Sequence, residues 1–133
     1  MNFWKDKEKG HVNAELFSKE AERMAEKLGN EGKNFKGKID KNKSSQIRKF
    51  YDELVRLADE VRHAPERWPL IEPRVHMLVA KAAYASGRGL VSDGFRGFIQ
   101  DGATSVSNPE ELQIWKDYFE SIIGFFKMKY PKD

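Results

Sequence analysis

The chain has 133 residues, 39% hydrophobic and 34% charged, with a net charge of +3, which is the size and polarity of one globular domain with a modest core. With no cysteine, disulfides, thiolate nucleophiles and cysteine-bound zinc are excluded. No apolar run approaches the roughly 20 residues that span a bilayer, and residues 1–8 have no signal-peptide core, so a soluble cytoplasmic protein with no membrane partner is expected.

Residues 1–12 are charged, with Phe3 and Trp4 as their aromatics, and read as a flexible arm or a short docked tail. Residues 13–133 read as one helical domain. Asn13 is an N-cap for a first helix carrying Leu16 or Phe17, Ala21, Met24 or Ala25, and Leu28, which Gly29 closes. Residues 30–43 hold Gly32, Gly37 and many lysines, with Phe35 and Ile39 as the apolar residues; they read as a basic loop or mobile linker. Ser44 and Ser45 then offer an N-cap for a helix striped by Ile47, Phe50, Tyr51, Leu54, Leu57, Ala58 and Val61, and Pro65 ends it. A corner of Pro65, Pro69 and Pro73 surrounds Trp68, and Pro73 is placed to open a third helix of Val75, Leu78, Val79, Ala82 and Ala85 that stops at Gly87. Glycine turns frame a short helix through Val91, Phe95, Phe98 and Ile99. Asn108, Pro109, Glu110 and Glu111 make a strong start for a last helix striped by Leu112, Trp115, Phe119, Ile122, Ile123 and Phe126. No alternation long enough for a strand appears, so the expected fold is an all-α bundle of about five helices in a single domain.

Charge is unevenly placed. Lys33, Lys36, Lys38, Lys41, Lys43, Arg48 and Lys49 face only Asp40 in the same stretch, which leaves the remainder of the chain faintly acidic. The strip runs into a helix start, where free N–H groups and the helix dipole favour an anion; Ser44 and Ser45 add hydroxyls and Gln46 an amide. A second line, Arg74, Lys81 and Arg88, repeats every seven residues, close to two helical turns, so it projects from about one face. Arg96 extends that line. The bland alternative is a solvated lysine loop and a solvent face balanced by acids of neighbouring helices.

Catalytic signals are absent. His11, His63 and His76 form no metal-ligand spacing, and His63 and His76 lie either side of the proline corner, where surface positions are the simpler reading of them than a general acid–base pair. Gly87, Gly89, Gly94 and Gly97 match neither a P-loop nor a dinucleotide fingerprint, and no cofactor or metal is implied. Trp68 and Tyr84 are the aromatics least committed to the core; either could stack on a base, though a corner plug is the simpler reading of Trp68.

Two segments carry a family resemblance. Lys43-Ser44-Ser45-Gln46-Ile47-Arg48-Lys49-Phe50-Tyr51-Asp52-Glu53 resembles the first signature of the small subunit of type III-A CRISPR effector (Csm) complexes, and Lys81-Ala82-Ala83-Tyr84-Ala85-Ser86-Gly87-Arg88 is similar to the second. Phe95 and Phe98, then an aromatic C-terminal helix, follow at similar positions, so the resemblance covers residues 43 to about 130. It implies a small helical protein without catalytic activity, stacked in several copies beside the guide-holding backbone filament and adding positive charge along the guide–target RNA duplex. RNA cleavage then belongs to the backbone subunit and DNA cleavage to the large subunit. Matched residue by residue, Lys43, Ser45, Gln46, Arg48, Lys49, Lys81, Tyr84 and Arg88 are the RNA-binding candidates, with Gln46 and Tyr84 also open to a structural role. Lys36 and Lys38 join them on charge alone.

The expected function is therefore a non-catalytic RNA-binding and assembly subunit of a type III-A ribonucleoprotein. Its expected partners are target RNA, the guide duplex, the other subunits and further copies of itself. The alternatives are the small subunit of the related type III-B complex, a purely structural helical adaptor and, well behind, a nuclease using His63 or His76.

Overall fold

Each apolar stripe of the sequence becomes a helix in the computed structural model, which describes residues 1–132. An antiparallel hairpin, β1 (Trp4–Asp6) and β2 (His11–Val12), leads into a 3-10 turn at Ala14–Phe17 and α1 (Lys19–Gly32). Then come α2 (Ser44–His63), a 3-10 turn at Pro65–Arg67, α3 (Trp68–Gly87), α4 (Asp93–Ser105) and α5 (Pro109–Lys129). Helix α5 packs against both α1 and α2, while α3 packs on α4 and α2. This is the mostly-α single domain that the periodicity predicts, with one small sheet added.

The core is aromatic where α2, α4 and α5 meet. Phe98 stands edge-on to Phe119, with centroids 5.1 Å apart and planes at 88°, and lies 5.6 Å from Tyr118 and 6.1 Å from Trp115. Phe95 bridges to Phe50 of α2 at 5.2 Å. Phe95 and Phe119 are fully buried, and each contributes about 2–3 kcal/mol by leaving water; Trp115 is as deeply buried, but its Nε1–H has no partner, which offsets part of its gain.

The N-terminal residues are docked. Phe3 is buried, the Trp4 Nε1–H donates to Glu111 Oε2 at 2.8 Å, and the Met1 ammonium donates to Asp101 at 3.1 Å and Ser105 at 3.2 Å. Glu111, at the start of α5, also accepts from the Ser107 N–H at 2.9 Å and hydroxyl at 2.7 Å. Burial disfavours its charge, but the bonds from Trp4 and Ser107 outweigh burial and hold its carboxyl below the ordinary value.

Four boundaries differ from the sequence reading, each for a local reason. Asn13 caps only the 3-10 turn, its Oδ1 accepting from the Glu15 N–H at 3.3 Å, and α1 starts at Lys19 after Ser18. Helix α1 runs past Gly29 to Gly32; Gly29 is helical and lies against the Tyr130 ring, where a Cβ would collide, so it serves close packing rather than termination. Helix α3 begins at Trp68, not Pro73. Pro69 in its first turn forfeits nothing, and Pro73 loses one intrahelical bond in a turn that buried Ile71 holds to the core. At α2 the N-cap is Lys43 and no side chain caps it; Ser44 is the first helical residue, its hydroxyl buried without a partner.

The loop before α2 is built, not slack. Ile39 is buried, and Lys33 pairs with Ile39 in an antiparallel bridge. Asn42, wholly buried at φ +62°, donates from Nδ2 to the Leu28 carbonyl at 3.0 Å and to Ser92 Oγ at 2.8 Å, and its Oδ1 accepts from the Ser92 N–H at 2.8 Å. Ser92 in turn caps α4 by accepting from the Phe95 N–H at 3.2 Å. One asparagine thus ties the end of α1, the start of α2 and the start of α4 together.

Candidate functional site

The tight turn at Pro65–Arg67 folds α2 and α3 back on each other, so the beginning of α2 lies beside the end of α3. On α2, Gln46, Lys49 and Glu53 are spaced i, i+3, i+7; Lys81 and Tyr84 of α3 and Arg88, its C-cap, repeat that spacing. The two faces line one open cleft of about 350 Å³, with Phe50, Leu78, Ala85 and Leu90 as further lining residues. Arg88 reaches back over its own helix: its Nη1 donates to Tyr84 Oη at 3.4 Å, and its guanidinium lies 5.8 Å from the ring centroid. Tyr84 is 68% exposed.

Charge in the cleft is unbalanced. Glu53 accepts from Arg56 Nη2 at 2.7 Å, which holds its carboxyl below the ordinary value against its burial, helped by the charges of Lys81 and Arg74. Among the described residues Lys49, Lys81 and Arg88 form no ion pair with a carboxylate. Three cations therefore face one carboxylate already engaged by Arg56.

The ten candidate residues divide into four places. Gln46, Lys49, Lys81, Tyr84 and Arg88 meet in the cleft. Arg48 turns to the other side of α2, its guanidinium 5.9 Å from the Tyr51 ring, and lines a shallow depression with Ser44, Ile122, Phe126 and Lys127 of the α5 side. Tyr51 there donates to Glu120 Oε1 at 2.8 Å; burial, then that bond and the Glu120 charge, push its hydroxyl well above the ordinary value. Lys36 and Lys38 sit on the loop, and Lys43 and Ser45 are exposed at the helix start. Sequence reasoning missed Glu53 as a cleft residue, because its spacing alone reads as solvent face. It also missed Asn42, whose partners lie 14 and 50 residues away.

The other sites weighed from sequence do not join the cleft. His63 Nδ1 lies 2.8 Å from the Asp59 carbonyl on its own helix, and His76 is exposed on α3. Arg74 lies 3.9 Å from Glu60. Among the described residues no group of three or more His, Asp or Glu side chains is placed to hold a metal ion. A larger cleft of about 550 Å³, with Tyr118 in its lining, is of mixed charge, with Glu20, Asp93 and Asp101 set against Lys27 and the Met1 ammonium. Burial, then Glu20 and Asp101, push the Tyr118 hydroxyl up to about 12.

The fold and this cleft define a class: a small helical protein presenting unpaired cations and an exposed tyrosine between two antiparallel helices. The family model for Csm2 Type III-A matches residues 13–132, reaching the first helix as well as the two signature segments. The chain belongs to that family, the small subunit of type III-A CRISPR effector complexes, and takes its place there with other subunits. The type III-B alternative is thereby set aside. No curated protein and no solved structure matches the chain. No helix among the described residues is long and apolar enough to cross a membrane.

Proposed function

We propose that the α2–α3 cleft contacts the sugar–phosphate backbone of RNA, the target strand of the guide–target duplex, and that this subunit contributes binding and assembly but no catalysis. The observation that carries this reading is the convergence of Lys49, Lys81 and Arg88 on one cleft without carboxylate partners. Like charges held together repel one another, and a polyanion relieves that repulsion. Tyr84 and Gln46 supply a ring and an amide beside them for sugar or phosphate. Backbone contact without base readout suits a subunit that must serve any guide sequence. Each copy needs only a few phosphate contacts when several copies of the chain line one strand.

The test is fluorescence anisotropy of the full chain with two labelled single-stranded RNAs of unrelated sequence, across a salt series. Three phosphate contacts predict a slope of log K against log salt of about −2, equal for both sequences. Affinity that follows sequence and ignores salt overturns the reading. A plain adaptor is recognised by absent binding at low salt together with intact complex assembly by the Lys49→Glu/Lys81→Glu variant. A nuclease is recognised by RNA turnover that a His63→Ala/His76→Ala variant loses.

A further inference from the structure

The loop between α1 and α2 ends in an aromatic side chain that the fold does not use. Phe35 is 95% exposed, whereas Ile39, four residues on, is 4% exposed and anchors the loop. An exposed phenylalanine on a slack loop calls for no explanation, but this turn is fixed. The Asn34 N–H donates to the Lys38 carbonyl at 2.8 Å, and the Gly37 N–H donates to the Asn34 carbonyl at 2.9 Å. The Asn34 side-chain Oδ1 accepts from the Lys36 N–H at 2.9 Å and the Lys38 N–H at 3.2 Å. Gly37 takes φ +78°, a conformation that other residues adopt only under strain. Below the turn stand the Lys33–Ile39 bridge and the buried Asn42. The ring is thus held out into solvent by a closed turn of known hydrogen bonds.

Its surroundings define what fits it. The Lys36 ammonium lies 5.7 Å from the ring centroid, and Lys38 and Lys41 are exposed nearby in sequence. An apolar socket on another protein that swallowed Phe35 would leave the Lys36 and Lys38 ammoniums at its rim with nothing to answer their charge. A nucleotide answers both groups together, offering a π-face to the ring and a phosphate to the ammonium.

We propose that Phe35 is a stacking platform for an unpaired RNA base, with Lys36 and Lys38 on the flanking phosphates. The proposal rests on the reading of this chain as an RNA-backbone binder and adds to it a contact with a base face. Because every base has a π-face, such stacking is tolerant of sequence.

The experiment compares the full-length wild-type chain with Phe35→Ala, Phe35→Leu and Phe35→Trp, and with Lys49→Glu/Lys81→Glu as the control for the cleft. The probes are a labelled oligouridylate and an abasic oligomer of the same length, both at low salt. Stacking predicts that Ala and Leu each weaken oligouridylate binding on the order of ten-fold, with unchanged melting temperatures. Leu removes the π-face but keeps apolar bulk, so it must fail as Ala does. Phe35→Trp retains affinity, and RNA quenches its emission beyond the quenching seen in wild type. The abasic oligomer binds wild type and Phe35→Ala equally. Wild-type affinity in Phe35→Ala, with binding still lost in Lys49→Glu/Lys81→Glu, overturns the stacking and leaves the cleft reading standing. Wild-type affinity in Phe35→Leu alone identifies an apolar contact and overturns the stacking as well. Absence of RNA binding by the wild-type chain overturns both.

Discussion

The α2–α3 hairpin carries cations at both of its ends, and the two ends treat them oppositely. At the closed end, near the Pro65–Arg67 turn, Glu60 gathers Arg67 at 3.1 Å, Arg74 at 3.9 Å and Arg56 at 4.0 Å, and Asp59 takes Arg62 at 3.4 Å. At the open end Lys49, Lys81 and Arg88 line a cleft and have no such partners among the described residues. Counting basic residues on α3 therefore misleads: Arg74, Lys81 and Arg88 repeat at one spacing, yet Arg74 belongs to an ion-pair network and the other two do not. Charge balanced inside the chain is spent on the fold, whereas the unbalanced charge around the cleft is what the proposed RNA contact would use.

The largest stability effect is expected behind the open end, where Asn42 fixes the entry to α2. Asn42→Ala leaves the Ser92 N–H buried without a partner, takes from the Leu28 carbonyl its second donor beside the helical one, and forces alanine to φ +62°. A loss of about 3 kcal/mol in chemical denaturation is expected. Asn42→Gly tolerates that φ and should recover about 1 kcal/mol of it, which separates the backbone contribution from the hydrogen bonds. Equal losses in the two variants would remove the conformational part of the argument.

The sharpest test of the comparison is charge reversal at the open end. Lys49→Glu/Lys81→Glu is expected to lower RNA affinity by about a hundred-fold at moderate salt, and to flatten the salt dependence by about two phosphate contacts. Both side chains are exposed, so thermal stability should move by no more than about 0.5 kcal/mol. A large fall in stability alongside the loss of binding would show that these cations hold the fold, as those at the closed end do.

Glu111 offers the buried counterpart of the closed end, a carboxylate satisfied inside the protein. Its carboxyl titrates below the ordinary value because bonds from Trp4 and Ser107 outweigh burial. A depressed folded-state value means that its stabilisation is full above the unfolded-state value and is lost as pH falls through the folded one. Glu111→Gln is expected to lose about 2 kcal/mol at pH 7 and to unfold with a shallower dependence on pH between about 5 and 3. Parallel acid-unfolding profiles for the variant and wild type would show that other carboxylates carry the acid sensitivity.

The helices were legible in the sequence because their stripes are periodic and local: Ile47 through Val61 and Leu112 through Phe126 are each buried on one face. The hairpin of residues 4–12 was not, since β1 and β2 have three and two residues and owe their position to Phe3 and Trp4 docking on the body. Of the candidate site, the residue types and the two spacings were visible, but not their meeting. That depends on the Pro65–Arg67 turn reversing the chain, and sequence spacing carries no angle. Arg48 and Lys49 show the same limit at close range: neighbours in sequence, they serve different faces of α2 because successive residues on a helix stand about 100° apart.

The smallest effect is expected at the closed end, and distance explains why. Along α2 Glu60 lies about 16 Å from Lys49, eleven residues at 1.5 Å each. That is about twice the screening length at physiological ionic strength and about half of it at 0.01 M. Glu60→Gln removes the hub of an exposed arginine network, so a loss below about 1 kcal/mol in stability is expected. RNA affinity at about 0.15 M salt should not change, because the cleft does not sense a charge so far away through that medium. At about 0.01 M salt the removed negative charge is no longer hidden, and affinity should rise by up to about two-fold. An affinity change at the higher salt would mean that the ion-pair network positions the cleft mechanically, through the α2–α3 packing, and the two ends of the hairpin would then have to be treated as one device.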